Sequence, residues 1–219
     1  MYVPPAFAEQ DRARLQDLIA AFPLGLLITA GPGGAMANAL PFLLVQDGDK
    51  TLLRAHLARA NPQLAELGAS PQVLVVFQPG DAYVSPDLYP SKAEHGRVVP
   101  TWNYAMVQVR GPARLDDSLD FLRPQIEALT TQQEAARARP WAVSDAPDRF
   151  IAAQMRGIVG LEIEVQQIEG KLKLSQNRNE TDRAGVRNGM IAEGEPLARL
   201  MPDPQARHFH LPNTTIWKV

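Results

Sequence analysis

Residues Val98 to Tyr104 read Val-Val-Pro-Thr-Trp-Asn-Tyr, which sets a proline, a hydroxyl, an indole, an amide and a phenol side by side. Pro100 fixes the approach of the chain. Trp102, Asn103 and Tyr104 then offer flat faces together with hydrogen-bonding tips. That combination suits a planar ligand. The plainer alternative is a strand start in which Trp102 and Tyr104 face the core and Asn103 faces water.

Three more segments carry polar chemistry. His56, Arg59 and Asn61 belong to His-Leu-Ala-Arg-Ala-Asn-Pro, at a strand end and in the loop before a helix. Cationic side chains and free backbone N–H groups there can hold a phosphate. The alternative is a solvated loop in which Asn61 caps the helix ahead of Pro62. Lys171 and Lys173, beside Ser175, Gln176 and Asn177, form a donor-rich strand end, or else an edge strand guarded by its lysines. Ala82-Tyr83-Val84-Ser85-Pro86 adds an aromatic and a hydroxyl to a proline-rich stretch.

Other chemistries find little support. His56, His95, His208 and His210 lack the helical pairing of a metalloprotease, although the last two could take up a metal adventitiously, and no metal site is expected. There is no Gly-x-Ser-x-Gly elbow and no Walker or Rossmann glycine pattern, so hydrolase and nucleotide-triphosphatase readings lose ground. Glu162 and Glu164 alternate on an exposed strand face and are not read as a catalytic pair. The absence of cysteine excludes disulfides, thiolate metal sites and a cysteine nucleophile, and fits a reducing cytoplasm. No basic leader with an apolar core is present at the N-terminus, and no apolar run approaches the roughly 20 residues that span a bilayer. A cytoplasmic protein is therefore expected.

With 219 residues, 45% of them hydrophobic, the chain can bury a sizeable core. We expect one domain over residues 1–190 with inserted helices, and a C-terminal tail over 191–219. A net charge of -2 gives no overall pull toward nucleic acid or anionic membrane, so DNA contact would need a local basic patch. Lys171, Lys173, Arg178, Arg183 and Arg187 supply one such patch.

The elements that must position these residues follow from periodicity. Leu15, Leu18, Ile19 and Phe22 mark one face of a helix over 9–22. Strands are expected at Leu24 to Thr29, Ala35 to Val45 and Thr51 to His56, with turns at Gly31 to Gly34 and Asp47 to Asp49. A short helix from Pro62 to Leu67 precedes a buried strand from Gln72 to Gln78. Prolines 79, 86, 90 and 100 predict an irregular segment between Pro79 and Pro100, of the kind that is usually functional. Tyr104 to Leu115 reads as a strand, Ser118 to Glu134 as a helix with Asp117 as N-cap, and Asp148 to Met155 as a short helix. Gly160 to Ile168 alternates as a half-exposed strand, and the chain turns helical from Arg178 to Met190. Short strand spacing with late helices points to a mainly antiparallel β barrel with flanking helices.

Taken together, Met1 to Pro4, Ala39-Leu40-Pro41-Phe42, His56 to Gln63, Ala82 to Pro86, Val99 to Tyr104, Gly157 to Gly160 and Lys173 to Glu180 resemble the PaiB family in composition and order. Its members are described as FMN-binding negative transcriptional regulators. The resemblance implies the FMN-binding split barrel of pyridoxamine 5'-phosphate oxidase. It sets Asn38, Ala39, Leu40, Pro41 and Phe42 along the flavin, with the run from His56 through Ala58, Arg59, Asn61 and Pro62 to Gln63 near its phosphate. Trp102, Asn103 and Tyr104 would line the ring pocket, and Lys173, Ser175, Gln176 and Asn177 would close it. It also implies a homodimer with the flavin at the subunit interface.

Two positions depart from the family pattern. Ala39 and Gln108 stand where relatives often carry histidine, which favours cofactor binding over proton-transfer catalysis. The leading expectation is an FMN-binding regulator. A flavin-dependent oxidoreductase acting on a small molecule is the alternative. A haem-handling protein with His56 as axial ligand is a third reading.

Overall fold

The computed structural model describes residues 1–201 and the backbone of Trp217 and Lys218. In chain order the elements are β1 (Ala8–Glu9), α1 (Arg12–Ala21), β2 (Leu24–Gly31), β3 (Gly34–Pro41), β4 (Leu43–Asp47), β5 (Lys50–Ala58), α2 (Gln63–Ala69), β6 (Gln72–Val84) and α3 (Ser91–His95). They continue with β7 (Thr101–Asp116), α4 (Leu119–Glu134), α5 (Asp148–Arg156), β8 (Ile158–Glu164), β9 (Gln167–Lys173), α6 (Glu180–Ala192) and β10 (Trp217–Lys218). The expected mainly antiparallel sheet with flanking helices is what the chain forms.

The chain makes two compact units, and both β6 and β7 contribute residues to each. The first unit holds Met1–Arg12, Gln78–Val107 and the described residues from Glu169 on. In it, β9 pairs with β1 and with β7. Helix α6 begins behind Asn179, whose side chain accepts from the Asp182 backbone N–H at 2.8 Å. It lies against the segment before α3, since a Cβ on Gly185 would come within 2.5 Å of the Leu88 carbonyl oxygen and 2.7 Å of Pro90. Glycine there permits the close approach. The Asp182 carboxylate closes this junction by accepting from the Ser91 backbone N–H at 3.0 Å and its hydroxyl at 2.8 Å. Residues 191–201, the described start of the expected tail, include a 3-10 turn over Pro196–Leu200 with Leu197, Ala198 and Leu200 buried. His208 and His210 lie outside the described residues.

The second unit holds Ala13–Phe77, Gln108–Ile168 and β10. Its strands follow the hydrogen-bonded order β4-β5-β8-β7-β6-β2-β3, with β10 parallel to β4. The β2–β3, β2–β6, β4–β5, β5–β8 and β7–β8 pairs are antiparallel. Helix α4 covers β4 and β5 through Leu129, which packs with Leu43, Val45 and Leu52. A second cluster, Leu122, Val143, Ile151 and Met155, joins α4 to α5.

Several boundaries differ from the sequence reading. The strand expected over Ala35 to Val45 breaks at Phe42, whose ring is buried edge-on against Phe77 with centroids 5.7 Å apart while its N–H donates to the Pro23 carbonyl. Strand β6 runs past Pro79 and Gly80 to Val84, so the irregular segment begins later than the prolines suggest. A proline is tolerated where the ladder needs no N–H at that residue. The expected Gly160 to Ile168 strand is two strands, because the N–H groups of Val165 and Gln166 turn aside to the carbonyls of Thr51 and Arg110. Ser118, not Asp117, caps α4, its hydroxyl accepting from the Phe121 N–H at 3.3 Å.

Candidate functional site

In the first unit the start of β7 reverses the plainer reading of its own sequence. Asn103 points inward and is 1% exposed, whereas the Trp102 indole points out and is 54% exposed. Tyr83 of β6, 50% exposed, meets Trp102 edge-to-face with centroids 5.7 Å apart. Two large rings thus share one wet surface. Asn103 is held from behind by Ser175, its Nδ2 donating to Oγ at 3.0 Å and its Oδ1 lying 3.2 Å from the same hydroxyl. Ser175 takes φ +64°, a left-handed conformation that favours glycine. Gln176 folds back on its own strand end, accepting from the Leu174 N–H and donating to the Leu172 carbonyl, while Asn177 is exposed.

Lys173 donates to the Thr101 hydroxyl at 2.6 Å and to the Trp102 carbonyl, which ties the end of β9 to the start of β7. Burial, and then the like charges of Lys171 and Arg178, hold its ammonium below the usual lysine range. Lys171 lies over the Tyr104 ring at 5.3 Å and Lys173 over the same ring at 6.0 Å. The Arg178 guanidinium covers the Tyr89 ring at 4.7 Å. The sequence-predicted residues Trp102, Asn103, Tyr104, Lys173, Ser175 and Gln176 are therefore brought together. Tyr83 and Arg178 join them, although neither was placed at the site from sequence. The signal for Tyr83 was its place in the Ala82 to Pro86 motif, and for Arg178 the end of the Lys-Leu-Ser-Gln-Asn-Arg string.

The remaining predicted residues lie in the second unit. Gln63, fully buried, organises the inner side of the β2–β3 hairpin. Its Oε1 accepts from Asn38 at 2.9 Å, and its Nε2 reaches the Leu27 carbonyl and the Thr29 hydroxyl. Asn61 accepts from the Gln63 backbone N–H at 2.9 Å, which is the helix-entry role of the plainer reading. Leu40 is buried, Pro41 half-buried, and Ala39, Ala58 and Pro62 are exposed.

His56 and Arg59 are engaged within this unit. His56 Nδ1 lies 3.0 Å from Gln125 Oε1 on α4, and the buried Gln125 Nε2 has no hydrogen-bond partner among the described residues. Arg59 donates through Nε to the Arg156 carbonyl at 3.0 Å and through Nη2 to the Ile158 carbonyl at 3.1 Å. Its Nη1 pairs with Asp117 at 3.1 Å. A cation at the end of α5 complements the free carbonyls of the last helical turn. Among the described residues, no group of acids and histidines is arranged to hold a metal ion. No helix among them is long and apolar enough to cross a membrane.

Known proteins resemble the chain in sequence and in fold. A family described as "Putative FMN-binding domain" matches residues 1–167. The protease synthase and sporulation protein PAI 2 of Bacillus subtilis is 30% identical over 203 residues, covering 93% of this chain and 95% of that protein. An uncharacterized protein of Emericella nidulans is 35% identical over 225 residues, covering 86% and 90% respectively. Among solved structures, the FAD and haem binding protein of Mycobacterium smegmatis matches with a TM-score of 0.54 at 20% identity, over 76% of this chain and 73% of that one. A conserved hypothetical protein of Mycobacterium tuberculosis reaches 0.57 at 15% identity, over 82% and 95%. These two share the fold. With its first 167 residues matched and a relative aligned along nearly its whole length, the chain belongs to the PaiB family of FMN-binding split-barrel proteins.

Proposed function

We propose that this chain is a cytoplasmic, homodimeric FMN-binding regulator of the PaiB type, whose effect is exerted through flavin occupancy rather than through a DNA-reading element of its own. The observation that carries the flavin part is the outward-facing Tyr83–Trp102 pair backed by the bonded Asn103–Ser175 pair. Large rings half in water are an uncovered apolar surface. A flat ring laid there recovers aromatic packing worth about 0.5–1.5 kcal/mol beyond area. The donor set also suits an anionic cofactor, since Lys173 is tied to the Trp102 carbonyl and Lys171 and Arg178 are close enough to act on it as like charges.

Trp102 and Tyr83 would face the cofactor ring, and Asn103 with Ser175 would fix the strand end that presents them. Lys173, tied to Thr101 and the Trp102 backbone, would hold the indole in register. FMN, when bound, supplies electron-transfer chemistry. The chain's own residues orient the ring and exclude water from one of its faces. The regulatory reading is supported by the relationship to the sporulation-linked Bacillus protein. The indirect mode is supported by a net charge of -2.

The homodimer is supported by one face of the β2–β3 hairpin. Leu24, Leu26, Ile28 and Ala30 oppose Pro41, Ala39, Ala37 and Ala35 on a single side, so every cross-strand pair on it is apolar. Leu24 is 66% and Leu26 45% exposed. An uncovered apolar sheet face of this kind marks an association surface, and a second copy supplies a matching one by two-fold symmetry.

A mobility-shift titration with DNA from candidate promoters, with and without FMN, tests the regulatory mode. Weak, sequence-tolerant binding that falls steeply with salt is expected. Nanomolar sequence-selective binding by the FMN-free protein near physiological salt would overturn it. A second reading, a flavin-dependent oxidoreductase, is favoured by the position of the Lys173 ammonium on Thr101 and the Trp102 carbonyl, where burial holds it below the usual lysine range.

A further inference from the structure

Lysines at a strand end have a bland explanation, the protection of an exposed sheet edge. That explanation does not apply at Lys171, which has Ala8 of β1 opposite it on one side of β9 while β7 pairs with β9 on the other. Three cations nonetheless gather at the end of β9. Among the described residues, Lys171, Lys173 and Arg178 form no ion pair with a carboxylate. Arg178 does act on the Asp182 carboxylate, but the oxygens of that group are taken by Ser91 and Asn179, whose hydrogen bonds hold it below its ordinary range despite burial.

The hydrogen-bond inventory points the same way. An ammonium has three N–H donors and a guanidinium five. Lys173 uses two, on Thr101 and on the Trp102 carbonyl. The Lys171 ammonium and the Arg178 guanidinium contact only rings among the described residues, those of Tyr2 and Tyr104 and that of Tyr89. Rings position these cations without neutralising them. The like charges also act on one another, which is part of why the Lys173 ammonium is held below its usual range. The phosphate candidates read from sequence differ, since the His56 and Arg59 side chains already have partners in the second unit.

We propose that Lys171, Lys173 and Arg178 form an anion-binding subsite at the end of β9, next to the strand start that carries Trp102, and that it takes a phosphate or carboxylate group. The inference rests on the flavin reading for its neighbouring ring surface, while the charge argument stands without it. The anion has two possible sources, the phosphate of FMN itself or a separate anionic ligand. Guanidinium and ammonium groups recognise both through charge-assisted hydrogen bonds.

The test uses the full chain carrying Lys171→Met with Arg178→Met, substitutions that keep apolar cover over the tyrosines, and a control carrying Lys171→Arg with Arg178→Lys. FMN, riboflavin and inorganic phosphate are each titrated by calorimetry, with phosphate added both to the free and to the FMN-loaded protein. If the subsite takes the flavin's own phosphate, the Met pair weakens FMN at least tenfold, leaves riboflavin unchanged, and the charge-retaining control stays near wild type. If it takes a separate anion, FMN is unchanged and phosphate binding to the loaded protein is lost in the Met pair alone. Unchanged FMN affinity together with unchanged or absent phosphate binding would overturn the subsite. Wild-type protein that binds phosphate but neither flavin would sink the flavin reading and leave the subsite standing.

Discussion

The Ser175 hydroxyl and the Asn103 amide hold one another inside the first unit, and the serine does so from a left-handed backbone conformation. A non-glycine residue there costs roughly 1 kcal/mol or more, and the bond to a buried amide offsets it. Ser175→Ala keeps the strain and strands Asn103, an outcome that costs about 1–3 kcal/mol. Ser175→Gly loses the same bond but relieves the strain, so it should fall short of that loss by about 1 kcal/mol. Urea denaturation of both variants checks the order. Equal loss, or a milder effect for alanine, would show that the backbone at this position is not strained.

A second relationship concerns acid stability. The Ser118 hydroxyl, the Arg114 guanidinium and the Ser118 backbone N–H together hold Asp116 down to about 2. A carboxyl depressed in the folded state stabilises it fully above its unfolded value near 4 and loses that contribution as pH falls through the folded value. The advantage of wild type over Asp116→Asn should therefore be constant from about pH 5 to 7 and shrink between about pH 4 and 2. Thermal melts across that range provide the check, and a difference independent of pH would contradict it.

Gly160 lies beneath the Phe121 ring, where an added Cβ would overlap the ring and come within 2.6 Å of the Asp116 carbonyl oxygen. Phe121 is itself flanked by Arg54 and Arg114, at 5.4 and 5.8 Å from its centroid. Gly160→Ala should destabilise by about 1–3 kcal/mol through overpacking. A neutral effect would mean α4 can shift freely on the sheet.

The dimer has a direct handle in Leu26. Wild type should sediment near twice the 24.0 kDa chain mass. Leu26→Glu, a charge on the apolar hairpin face, should shift the population to monomer with the fold retained by circular dichroism. A variant that stays dimeric would move the interface elsewhere.

Much of the fold was legible because periodicity alone reports it. The α1 face, the β2–β3 turn at Gly31 to Gly34 and the α4 helix follow from residue spacing. Boundaries were less legible where backbone N–H groups leave the ladder for distant carbonyls, as at Phe42 and Val165, because such partners are far away in sequence. The Trp102–Asn103–Tyr104 string announced a site, but which face it turned to water did not follow, since alternation fixes faces only relative to each other. Asn103 is the inward residue because Ser175, 72 positions later, meets it there. Arg59 is the converse case. Its type and loop position suit a phosphate, and only the fold shows the end of α5 beside it.

The most direct test of the central claim is a flavin titration of wild type and Trp102→Ala, followed by visible absorption and flavin fluorescence. The indole is outward, so its removal should leave stability within about 0.5 kcal/mol while weakening FMN by about three- to tenfold, on the scale of aromatic packing. Wild type should show flavin bands with quenched emission, and the variant brighter emission and faster release. A wild-type protein that stays colourless and gains no flavin on titration, or a Trp102→Ala variant that unfolds while its remaining folded fraction binds FMN as before, would contradict the account.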